Sequence, residues 1–154
     1  MALNHSSNGA TSIHSLVKLK SPGNLYASTS GSDETGDGLE NNPFATIQKS
    51  IDNAIDGDTV IVSSGTYVEN INFNGKRITV MGENRETTII DGNQTQSVVT
   101  FNNGETPEAV LKAVTIMNGN PSGGYGGGIY IDSSSPTIID AIINNNYANY
   151  GGGV

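Results

Sequence analysis

From Asp58 onward the hydrophobic positions of this 154-residue chain come in short runs: Val60-Ile61-Val62, Ile71-Asn72-Phe73, Ile78-Thr79-Val80, Thr87-Thr88-Ile89-Ile90 and Val98-Val99-Thr100-Phe101. Turn formers separate them at Ser63-Ser64-Gly65, Asn74-Gly75, Asp91-Gly92-Asn93 and Asn102-Asn103-Gly104, a pattern that predicts strands joined by tight turns. Some runs alternate, with Ile78 and Val80 inward and Thr79 outward. Others are continuous, as in strands buried on more than one side. Strands this short and this closely spaced fit either a β-sandwich or a parallel β-helix. Recurrence decides for the helix. Leu111, Val114 and Ile116 return 27 residues later as Ile138, Ala141 and Ile143, and Tyr125-Gly126-Gly127-Gly128-Ile129 returns 25 later as Tyr150-Gly151-Gly152-Gly153-Val154. A period in the twenties with Gly and Asn punctuation predicts a solenoid of β-strands. Val60–Val62, Ile78–Val80, Val114–Ile116 and Ala141–Ile143 are expected to stack as one column. The last copy stops one residue into its second rung, so the chain reads as part of a longer repeat array.

One amphipathic helix, over about 43–56, is predicted ahead of the strands. Asn42 would cap it and Pro43 would open it. Phe44, Ile47, Ile51, Ala54 and Ile55 would share one face, and Gly57 would stop it. Its place in a solenoid is to cover the exposed end of the first rung. Upstream, residues 1–24 are polar and read as a segment or linker, with a loosely attached strand at Ile13–Lys20 and a turn at Ser21–Asn24. The β-helix domain is expected to span 25–154, opening with a short strand at Leu25–Ser28.

Composition narrows the function classes. Apolar residues make up 34% of the chain and glycines number 20, which suits thin stacked rungs better than a thick globular core. The formal net charge of −8 excludes a nucleic-acid footprint, which needs clustered Lys and Arg. With no cysteine there is no disulfide framework, zinc knuckle or catalytic thiol. No apolar run is long enough to insert into a membrane as a helix. The first 24 residues lack the apolar core of a signal peptide, so a leader on a secreted parent would lie upstream.

Residues 25–75 carry LYASTSGSD (25–33), GDG (36–38), NPFATIQKSIDNAIDGDTVIV (42–62) and GTYVENI (65–71). With these they resemble the opening segment of right-handed parallel β-helix proteins of the pectate-lyase-like superfamily. Residues 111–154 resemble the GGGIYI…SSPTI…N repeat of bacterial cell-surface β-helices. The resemblance covers most of the chain and implies a fold and an extracellular or cell-surface location; neither segment is specific for an activity. Ser64 stands where a proline usually precedes GTY, and Ser50 where the helix usually has alanine.

The family's enzymes include polysaccharide lyases, which hold calcium against the substrate's uronate with acidic residues and use Lys or Arg as base. Asp91, Asp132 and Asp140 are available at rung ends, yet after Arg85 the only basic side chain is Lys112, which reads better as a solvated outer-face residue. Asp132 and Asp140 are the only nearby carboxylates in the repeats that could form a hydrolytic pair. No catalytic set emerges. Asp33, Glu34 and Asp37 could gather around calcium, although a Gly-rich turn explains them as well. Gly126-Gly127-Gly128 leads into a strand with no Lys after it, so it is no phosphate cradle; it is expected to let the backbone turn between rungs. Asn118 and Asn144 are expected at turns, with amides stacked up the solenoid. Tyr125, Tyr130, Tyr147 and Tyr150 fit either packing at turns or stacking against sugar. Of this set Tyr130, outward between inward Ile129 and Ile131, is the binding candidate, with Asp132 beside it.

The expectation is therefore an all-β, right-handed parallel β-helix with an N-terminal capping α-helix, acting as a non-catalytic scaffold, adhesin or glycan-contacting surface. The alternative is the N-terminal part of a calcium-dependent polysaccharide lyase or related carbohydrate-active enzyme. No metal or cofactor site is assigned, calcium being the one ion considered. The expected partner is a polysaccharide or cell-surface glycan, and the open final rung invites self-association.

Overall fold

A computed structural model describes residues 20–154. Among these residues twelve short strands and one helix follow one another. The strands form three sheets in which every pairing is parallel. The first sheet stacks β1 (Asn24–Ala27), β2 (Thr59–Val62), β5 (Thr79–Gly82), β8 (Val110–Lys112) and β11 (Thr137–Ile139). The second stacks β3 (Gly65–Val68), β6 (Thr88–Asp91), β9 (Thr115–Met117) and β12 (Ile142–Asn144). The third stacks β4 (Ile71–Asn72), β7 (Val99–Phe101) and β10 (Ile129–Ile131). The chain visits first, second and third sheet in turn, then climbs one rung. This is a right-handed parallel β-helix, the hand that parallel crossovers favour.

Inward side chains stack in columns set by the register. Leu25, Val60, Val80, Leu111 and Ile138 line the first sheet. Tyr67, Ile90, Ile116 and Ile143 line the second. Ile71, Val99 and Ile129 line the third. Phe73 and Phe101 stack there too, with ring centroids 4.4 Å apart. Tyr67 is buried, its hydroxyl within reach of the carbonyls of Ser63 and Ala27 at 2.9 and 3.2 Å. Burial pushes its pKa up to about 12, so the phenol stays neutral and structural.

The recurrence in the tail is real as register: Leu111 pairs with Ile138 and Ile116 with Ile143. The single column expected from it is not. Val60 and Val80 continue into Leu111 and Ile138 on the first sheet, whereas Ile116 and Ile143 belong to the second. Between Leu111 and Val114, Lys112 and Ala113 hold a corner, with Ala113 in the left-handed region at φ 55°. One rung later Asp140 repeats that conformation at φ 52°. A corner of two residues leaves no hydrophobic gap for pattern reading to notice.

Helix α1 (Ile47–Asn53) is shorter than the predicted 43–56. Thr46 is its cap, accepting from the Lys49 N–H, and not Asn42. Phe44 lies before the helix in extended backbone that bridges Ala27, so Pro43 cannot be the first helical residue. The Asn42 amide is used elsewhere, donating to the Thr35 carbonyl at 3.1 Å. At the other end Gly57 does not provide the stop. Ala54 is the C-terminal cap, and Lys76 Nζ donates to the carbonyls of Ile51, Asp52 and Ala54 at 2.6–2.9 Å. A cation on the free carbonyls at a helix C-terminus satisfies both their hydrogen bonding and the helix dipole. The buried face of α1, Ile47, Ser50 and Ile51, packs on β1, β2 and β4 and closes the first rung. The capping role stands; the chemistry of both helix ends differs from the expectation.

The predicted strand at Ile13–Lys20 lies outside the described residues except for Lys20. That residue and Gly23 are tied to Asp58, through Lys20 Nζ at 3.0 Å and the Gly23 N–H at 2.7 Å. No helix among the described residues is long and apolar enough to cross a membrane.

Candidate functional site

The two glycine runs of the tail lie side by side. Successive N–H groups of Gly126, Gly127, Gly128 and Ile129 donate to the carbonyls of Tyr150, Gly151, Gly152 and Gly153 at 2.9–3.0 Å. Gly126 has φ +60° and supplies the turn, whereas a Cβ on Gly127 would sit 2.5 Å from the Tyr147 carbonyl oxygen. The run is therefore needed for close approach of two backbones more than for turning.

This pairing sets Tyr125 over Tyr150. Their rings stack with centroids 5.0 Å apart at 21°, an offset arrangement worth about 0.5–1.5 kcal/mol beyond burial. Both remain mostly exposed, at 61% and 63%. Tyr130 extends the outward column of the third sheet above Asn72 and Thr100. Beside the stacked pair runs an open groove of about 420 Å³ whose walls include Tyr125, Tyr130, Ile131, Asp132 and Tyr150. A smaller hollow shares Tyr125 and Tyr130 with this groove and is lined also by Ser97, Pro121 and Gly124. The fold thus brings Tyr130 and Asp132 into one groove and adds the tyrosine pair to them. Ile131, expected inward, follows Phe101 in register but is 36% exposed, because no further rung covers it among the described residues. Tyr147 is exposed and lies outside the groove lining.

Asp132 is exposed, its Oδ1 accepting from the Ser133 hydroxyl at 3.2 Å. The other rung-end carboxylates are engaged. Asp140 pairs with Arg85, and Asp91 accepts from the Asn118 amide at 2.9 Å. Asp132 follows β10 on the third sheet and Asp140 follows β11 on the first, so they close different corners. Lys112 points outward from β8, in register with Met81 and Ile139.

In the acidic loop, Asp33 accepts from the Ala45 and Thr46 N–H groups and the Thr46 hydroxyl at 2.7–3.1 Å. Its partial burial is outweighed by these bonds and its pKa is lowered. Asp37 accepts from the Leu39 N–H. Among the described residues no group of three or more acidic or histidine side chains gathers to hold a metal ion.

Asn118 and Asn144 do not stack. Asn118 sits at φ 59° and its repeat counterpart at φ 52° is Asn145, while Asn144 ends β12 opposite Met117. Rung-to-rung amide bonding occurs instead between Asn72 and Asn102 at 3.2 Å, and through Asn146, which accepts from the Gly119 N–H and donates to the Ile116 carbonyl. Sequence reading also missed Glu105. This buried carboxylate accepts from the N–H groups of Gly75 and Asn103 and from the Ser134 hydroxyl at 2.8–2.9 Å. It ties together three successive rungs; nothing marks it beyond its place after a turn.

Comparison with protein-family models and with curated proteins gives no match. The class rests on architecture alone: a capped parallel β-helix with an exposed tyrosine groove on its last rungs.

Proposed function

We propose that the chain is a non-catalytic segment of an extracellular or cell-surface bacterial β-helix protein of the pectate-lyase-like type, a rigid scaffold that contacts glycan through its tyrosine groove. The observation that carries this reading is the exposed Tyr125–Tyr150 stack with Tyr130 and Asp132 beside it. Exposed aromatic faces flanked by a hydrogen-bonding group suit a sugar, which offers an apolar ring face and polar edges. Among the described residues no base lines the groove, and the carboxylates Asp91 and Asp140 are bound to protein partners, which favours the non-catalytic reading of this segment over the lyase one.

Binding of the chain to an immobilised saccharide panel tests the proposal. Tyr125→Ala and Tyr150→Ala should each weaken binding roughly two- to tenfold, the equivalent of one aromatic contact. No retention on any saccharide, or retention untouched by both substitutions, would rule it out.

A further inference from the structure

We infer that the groove selects sugars by charge, favouring a glycan with protonated amines and rejecting uronate chains. The inference rests on the glycan reading above and adds the ligand's electrostatic class.

Every cation of the described residues is placed away from the groove. Lys20 is bound to Asp58, Arg77 to Asp56 and Arg85 to Asp140. Lys76 is held on the carbonyls of α1, and Lys49 lies within α1 at the opposite end of the solenoid. Lys112 points outward from the first sheet. Among the described residues the groove's one charged side chain is Asp132. The formal charge of the whole chain is −8, so the long-range field has the same sign as the local one.

A uronate carboxylate in this groove would meet like charge, with no guanidinium or ammonium among the described residues to receive it. An ammonium would meet the Asp132 carboxylate and the negative faces of tyrosine rings, which attract cations. The stacking of Tyr125 on Tyr150 also limits how the ligand enters. At 5.0 Å the two inner faces cover each other, so a cation cannot slip between them as in an aromatic cage. What remains is a platform, along which a sugar ring lies flat with its amine toward Asp132.

The experiment compares oligomers of glucosamine, N-acetylglucosamine and galacturonate of equal length, in mildly acidic low-salt buffer where the free amine carries its proton. Glucosamine oligomers should bind about two- to fivefold more tightly than N-acetylated ones, the size of an exposed ion pair, and galacturonate oligomers should not bind. Added salt should shrink the preference. Asp132→Asn should abolish the preference, so that glucosamine and N-acetylglucosamine oligomers bind equally; circular dichroism confirms that the variant is folded. Galacturonate bound as tightly as glucosamine, or a preference for the amine that survives Asp132→Asn, would overturn the inference while sparing the glycan reading. Failure of all three to bind while another saccharide of the panel is retained would overturn the inference alone; no retention on any saccharide would overturn both.

Discussion

Two residues show how much of this solenoid depends on single side chains. Asp58, whose side chain is fully buried, binds the backbone of Gly23 and Ile55 as well as Lys20. Burial alone would raise its pKa, but the two N–H donors and the lysine outweigh that and lower it from its ordinary 3.8. A depressed carboxylate stabilises the fold fully above its unfolded pKa, and that contribution fades as pH falls through the folded value. Glu105 has the same sign, while Glu69, raised by burial under α1, has the opposite one. Its share is complete below its ordinary 4.5 and declines as pH rises through the folded value. Thermal melts should therefore show stability falling as pH drops below about 4, the ordinary carboxylate range. Asp58→Asn should cost about 2 kcal/mol at neutral pH and flatten part of that acid slope. Ala113 makes the opposite case. Its left-handed corner costs a residue with a Cβ about 1–2 kcal/mol, of which glycine's entropy takes back about half. Ala113→Gly should raise stability by about 0.5–1 kcal/mol, seen as a denaturation midpoint shifted upward with unchanged slope.

At the scale of elements, the helix and the strands other than β3 were legible, and the connections between them were not. The runs at Val60–Val62 and Val98–Phe101 match β2 and β7 because alternation or continuous burial marks them directly. β3 escaped because its Tyr67 is a lone inward residue between exposed Thr66 and Val68. The helix was visible from Ile47, Ile51 and Ala54, but its ends are fixed by Thr46 and by Lys76, 22 residues beyond Ala54. A partner that distant leaves no local trace. The groove was half legible. Tyr130 and Asp132 follow from strand alternation, whereas the exposure of Tyr125 and Tyr150 depends on two glycine runs pairing in space. Lys76→Met tests the helix end. It should destabilise the chain by about 1.5–3 kcal/mol, the worth of bonds to a charged donor, with hydrogen exchange accelerated first in α1.

Across the whole molecule the two ends differ. One is closed by α1 and the backbone of residues 38–44, which bonds to β1. At the other, β10, β11 and β12 are the outermost strands of their sheets, with Ile131 and Ile139 exposed. Unpaired edges with apolar side chains are templates for another chain. The 154-residue chain is proposed to self-associate through this end, and light scattering should show apparent mass rising with concentration. A constant monomer mass at high concentration would refute it.

The same asymmetry gives folding a direction. Nearly all the pairings join residues twenty or more positions apart, and such contacts form slowly because the intervening chain must be closed first. Synthesis delivers the closed end before any later rung. Once α1 has settled on β1 and β2, each new rung meets an edge already in place and has one loop to close. The helix that covers the first rung is thus also the surface on which the later rungs are laid down, one after another, toward the groove.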